Sequence, residues 1–151
     1  MTAPIVTWTE ADGKTIISKW QMGKVNAGYA SEEKNILVWN NHTGSEDLSD
    51  MQEVRITTTD DAGDTLDVVV DKWVEVRCNS VDEEEFTQIG GETMHMLTAR
   101  DQEPGIIKGN ANGGMLTDSA NYADITVFTQ PPLNVPAGIR PFKLRVIYYY
   151  T

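Results

Sequence analysis

The chain has 151 residues and a mass of 16.8 kDa, with 23 acidic against 12 basic side chains and a formal net charge of −11. That length suits one domain, burying roughly 70% of the surface its unfolded form would expose, so one packed core suffices. The acid excess opposes binding to phosphate backbones, which needs clustered Lys and Arg, and the single cysteine, Cys78, excludes an internal disulfide.

No basic segment precedes an apolar core of secretory length, and no apolar run reaches the roughly 18 residues that cross a bilayer, so neither a leader nor a membrane span is expected. Cys78 reads as a small buried hydrophobe rather than a reactive thiol. The whole chain, 1–151, reads as one domain, since no linker composition, internal repeat or low-complexity tract interrupts it.

In residues 1–12 the stretch "APIVTW" brings Ile5, Val6 and Trp8 before a polar turn, which suits either an edge strand of the domain's own sheet or an arm that pairs with a neighbour. Short β-favouring runs follow: Thr15 to Gln21, Lys34 to Asn40, Glu53 to Thr59, Leu66 to Val70, Lys72 to Cys78, Thr93 to Thr98, Tyr122 to Gln130 and Phe142 to Tyr150. Several alternate. In "KWVEVRC" Val74, Val76 and Cys78 oppose Trp73, Glu75 and Arg77, and in "NYADITVFTQ" Ala123, Ile125, Val127 and Thr129 oppose Tyr122, Asp124, Thr126 and Phe128.

Between the runs lie turn signals. Asp60, Asp61, Ala62, Gly63 and Asp64 read as a hairpin turn in which carboxylates bond local amides; a calcium loop is the alternative, but it needs six or more oxygen ligands. The acidic "SVDEEEF" (Ser80 to Phe86) reads as a solvated loop or a single helical turn. His42 reads as an exposed turn residue, and His95 as one position of an alternating strand. With only two histidines and no paired cysteines, no metal is expected.

Residues 79–121 hold few long β runs, and Ile106, Ile107 and Met115 stand as apolar islands among Gly105, Gly109, Gly113 and Gly114. Either the loop folds back on the core, or it docks on another subunit. The partner-binding candidates are therefore Ile5, Val6, Trp8, Ile106, Ile107 and Met115. No nucleophile elbow, phosphate-cradling glycine loop or zinc-protease motif is present, and no cofactor or catalytic residue is expected. Trp8, Trp20, Trp39 and Trp73 could build a sugar-stacking platform, but three of them lie in or beside strands, where packing is the ordinary role.

The stretch "WQMGKVNAGYASEEKNILVWNN" resembles the signature of immunoglobulin-like domains of the abnormal-spindle and hydin type. The matching positions are Trp20, Met22, Gly23, Val25, Gly28, Ser31, Ile36, Val38 and Asn40, with Met22 standing where an aromatic is usual. Gly23 and Gly28 would bend the chain, Met22 and Val25 would anchor the bend in the core, and Asn40 would close the strand end.

The segments "VWNNHTGSEDLSDMQEVRITTTDDAGD", "DKWVEVRCNS", "IGG" and "LNVPAGIRPFKLRVIYYYT" resemble small immunoglobulin-like virion proteins of tailed bacteriophages, in which a Pro-Ala-Gly turn, here Pro136-Ala137-Gly138, precedes the last strand. That resemblance implies an all-β, immunoglobulin-like antiparallel β-sandwich with a long loop-rich insertion. It further implies a non-enzymatic capsid decoration subunit, present in repeated copies or as a homo-oligomer and bound to the major capsid protein or other virion subunits. Its place would be the virion, assembled in the host cytoplasm. A tail or baseplate subunit, or a carbohydrate-binding module on a host-recognition appendage, is the alternative.

Overall fold

The computed structural model describes residues 2–151. They form an all-β sandwich of two antiparallel sheets. In chain order the strands are β1 (Val6–Thr9), β2 (Lys34–Asn40), β3 (Gln52–Thr59), β4 (Val74–Cys78), β5 (Thr87–Ile89), β6 (His95–Met96), β7 (Tyr122–Thr129) and β8 (Lys143–Tyr149). One sheet has the order β1-β2-β7-β4-β5 and the other β6-β3-β8.

The alternation read from β4 and β7 sets the core. Val74, Val76, Cys78, Ala123, Ile125 and Val127 are fully buried beside Ile36 and Val38 of β2 in the same sheet, and together they meet Val54 and Ile56 of β3 across the sandwich. β2 differs by being buried on both faces. Leu37 and Trp39 point away from the sandwich interior yet are also covered. The outward Trp39 ring lies 4.6 Å from Tyr122 and 4.7 Å from His42, its Nε1–H donates to Thr9 Oγ1 at 2.9 Å, and Gly13 packs against it, making a second small core outside the sheet. His42 is thus buried, with Nε2 2.5 Å from the Gly13 carbonyl oxygen, and is not the exposed turn residue its polar neighbours suggest. Burial raises the Tyr122 phenol above its ordinary range, assisted by the Asp124 carboxylate.

Two expected strands do not form. Thr15 to Gln21 makes only one bridge, Ile16 with Thr9, and then leaves the edge of β1 to cross towards the other sheet. Leu66 to Val70 instead contains the one-turn helix α1 (Asp67–Val70). The chain must pass there from β3 in one sheet to β4 in the other, and a helical turn buries Val68 and Val69 while redirecting the backbone, which overrides the β preference of three valines.

For the same reason the Asp60–Asp64 segment is a turn but not a hairpin, because β3 and β4 never pair. The Asp60 and Asp64 carboxylates are taken by local donors, mostly backbone N–H groups. Asp60 Oδ1 accepts from the N–H groups of Ala62 and Asp64, and Asp60 Oδ2 from that of Leu66; Asp64 Oδ1 accepts from the Thr59 hydroxyl and the Asp60 N–H. Gly63 takes a φ of 75°.

Two turn carboxylates give a pH signature. The Thr15 hydroxyl, then the Thr15 and Lys14 N–H groups, hold Asp12 down at about 2, and the Thr59 hydroxyl and Asp60 N–H hold Asp64 below its usual range. Groups depressed in the folded state stabilise it above the unfolded carboxylate value of about 3.9 and lose that contribution as pH falls through the folded value. An NMR titration should therefore find Asp12 ionised at pH 3 and half-protonated near pH 2. A midpoint near 4 would mean that the Asp12–Thr15 turn is open in solution.

Candidate functional site

The six docking candidates do not form one surface. Ile5 is exposed, and its N–H and carbonyl are held by Asn40 Oδ1 and the Asn41 N–H. Val6 and Trp8 lie half-buried in β1, paired residue by residue with Asn40 and Val38 of β2, so the N-terminal segment is an edge strand of its own sheet and not a free arm. Ile106 is half-buried. Ile107 is fully buried and exchanges backbone hydrogen bonds with Met51, so it belongs to the core and cannot meet a partner. Met115 is exposed on the far side of the loop.

Asparagines tie this loop down. Asn40 Nδ2 donates to the Ser49 carbonyl at 2.9 Å and the Ile107 carbonyl at 3.4 Å; Asn41 Nδ2 donates to the carbonyls of Glu46 and Gly109; Asn121 Nδ2 donates to those of Asn40 and Asn110. Asn40 does close the end of β2 as its motif position suggests. The loop from Gly105 to Gly109 is a lid folded back on the core.

Elsewhere the titratable groups serve the fold. His95 Nε2 lies 2.8 and 2.9 Å from the two carboxylate oxygens of Glu83, whose Oε1 also accepts from the Cys78 N–H at 2.8 Å. Cys78 is buried, its sulfur beside Ser80 Oγ and the Thr98 carbonyl. Among the described residues no group of three or more His, Cys, Asp or Glu side chains could hold a metal ion, and no helix is long and apolar enough to cross a membrane. Trp39 and Trp73 are buried, and Trp8 and Trp20 pack half-buried against the core, where both line one hollow beside β8.

The surface feature with a shape of its own lies on the opposite side from the asparagine-bound loop, where Met22 to Ala27 face Pro131 to Phe142. A cleft of about 660 Å³ opens between them, floored by Val68, Trp73 and Thr129. A second hollow of about 570 Å³ continues it, sharing Met22, Arg140 and Phe142 and reaching Trp8, Ile36 and Leu144 where the sandwich stands open beside β8.

Gly23 and Gly28, at φ of 69° and 80°, bend the chain as the motif implies. Met22 and Val25, however, are half-buried walls of the cleft and not core anchors. Trp20 packs edge-on against Phe142 at 5.9 Å and stands between the second hollow and the next one. Arg140 fixes the other wall: its guanidinium sits 5.0 Å over the Trp73 ring, donates to Asp67 at 2.7 Å and reaches the carbonyls of Pro136 and Gly138.

None of the six candidates but Trp8 touches this trough. A signal for it does exist in the sequence: residues 13–31 and 125–151 contain no Asp or Glu, although the chain has 23, and they hold half of its 12 basic residues. These two runs supply nearly all of the trough's lining. No family model matches this chain, and neither a curated protein nor a solved structure does.

Proposed function

We propose that this chain is a non-enzymatic structural subunit of a tailed-phage virion, a decoration protein that binds the outer surface of the head and reinforces the joints between major capsid subunits. One observation carries the reading: on a rigid, acidic sandwich, large apolar side chains are left outside on the irregular segments that flank the trough. Ile139 is 95% exposed, and Tyr29, Leu133 and Ile16 are each more than half exposed. Large apolar side chains left exposed beside an apolar trough suit protein–protein contact. The phage resemblance of "VWNNHTGSEDLSDMQ" and the closing strand supplies the kind of assembly. A net charge of −11 favours an outer face over one turned towards packaged DNA.

The test is reconstitution. Purified protein mixed with undecorated heads should co-sediment with them at a saturable copy number and raise the temperature at which they release DNA. Heads that neither bind the protein nor gain resistance to heat or chelator would overturn the decoration reading, and binding to isolated tails instead would move the protein to that part of the virion.

A further inference from the structure

We propose that the trough between residues 18–27 and 131–144 is the seat of an extended, apolar and acidic peptide segment of a partner subunit. This deepens the assembly reading above and rests on it. Three independent observations converge on that occupant.

The first is unmet hydrogen bonding. Trp73 and Thr129 line the cleft and are 6% and 4% exposed, yet Trp73 Nε1 and Thr129 Oγ1 have no hydrogen-bond partner among the described residues. Buried polar groups are rarely left so, and an indole N–H can only donate, so an acceptor oxygen seated in the cleft would serve it once the side chains covering it move aside. A peptide carbonyl is such an acceptor, and apolar side chains beside it match walls of Met22, Val25, Val135, Ile139 and Phe142.

Charge is the second. In a chain with nearly two acids for each base, the two hollows are lined by Lys19, Lys24, Arg140 and Lys143 and by no Asp or Glu. Arg140 is paired with Asp67 and Lys143 with the exposed Asp61, while Lys19 and Lys24 have no carboxylate within salt-bridge distance among the described residues. The trough is thus a cationic strip on an anionic molecule, complementary to an acidic segment and repelled by a basic one. Its acid-free zone ends past Trp20, where the next hollow carries Glu10, Glu32 and Glu33.

Shape is the third. The hollows run on into each other, giving a channel suited to an extended chain rather than a closed cavity for a compact molecule. Beside it runs β8, which pairs with β3 alone, so its other edge offers backbone groups along the segment's path.

The experiment uses the full chain and displayed random short peptides as the probe. Selected binders should be rich in Asp or Glu and in Val, Ile or Leu. Their binding should weaken in high salt and fall on the order of tenfold in Lys24→Glu and in Ile139→Asp, as expected for one reversed charge or one lost apolar contact. Both residues are exposed, so folding is preserved. Lys14→Glu, outside the trough, should leave affinity within about twofold. The Trp73 indole N–H signal should move on binding.

Failure to enrich any binder, winners without acidic residues, affinity unchanged in both trough variants, or a Trp73 signal that stays in place would each overturn the proposal. The head-binding test is separate. If heads bind but the peptides do not, the trough proposal falls and the decoration reading stands; if peptides bind as described but heads do not, the reverse holds.

Discussion

Trp39→Ala should lower the stability of the chain by about 4 kcal/mol, the range found when a large buried aromatic is truncated. At this chain length that corresponds to a melting temperature lower by roughly 10 °C. Trp39 is fully buried although it points out of the sandwich. It holds the second core together: Tyr122 and His42 pack on the indole, its N–H reaches Thr9, and Gly13 sits against its edge. Removing the ring empties the space between β1, β2 and the 112–118 segment, which Tyr122 fastens through its hydroxyl to the Leu116 carbonyl at 2.8 Å.

Trp39→Phe keeps most of the volume but removes the donor to Thr9, and about half the loss is expected. Urea denaturation at constant slope measures both. A loss below about 1 kcal/mol for the alanine variant would mean that the outer cluster contributes little to the folded state.

The strands that the sequence shows most clearly are those whose alternation answers to one buried face. β2, β4, β7 and β8 fall within two residues of their expected bounds because Val74, Val76, Cys78, Ala123, Ile125 and Val127 leave only one register in which the core is apolar. Runs whose neighbours lie in the other sheet were not legible in the same way. Leu66 to Val70 has the composition of a strand and the position of a crossover, and position decided.

His42 was hidden for a related reason. Nothing local says that Gly13 and Trp39 will close over it, since that contact joins residues 29 apart. Ile107 shows the opposite case: glycines around an apolar residue left open both a loop folded on the core and one docked on another subunit, and the fold decides for the first, since at Gly109 the backbone comes too close to Leu48 for any side chain. The trough is not an apolar island in the sequence. Its mark is an absence of acids over two runs far apart in the chain, which acquires meaning only when the fold sets 18–27 against 131–144.

The asparagine-bound lid gives the other large effect. Gly109→Ala would place a Cβ 2.5 Å from the Leu48 carbonyl oxygen and 2.6 Å from that of Ser49. Both obstacles are backbone, so neither can rotate away. The segment must move outwards, and with it go the Leu48 N–H bond to the Gly109 carbonyl at 2.8 Å and the Asn41 Nδ2 bond to the same oxygen at 2.8 Å. Two buried donors left unserved, together with the displaced backbone, are expected to cost about 3 kcal/mol.

Asn40→Ala acts on the same lid from the β2 side, stripping the partners of the Ile5 N–H and of the Ser49 and Ile107 carbonyls, and a similar loss is expected. Because the two changes open one structure, the double variant should lose clearly less than the sum of the single losses, by on the order of 1 kcal/mol. Amide exchange separates this from a general weakening. The mutual Met51–Ile107 pair should lose protection in either variant, while Val76 and Val127, paired deep in the five-stranded sheet, should keep theirs relative to the new global stability. Strict additivity with uniform loss of protection would show that Asn40 and Gly109 do not hold a common lid.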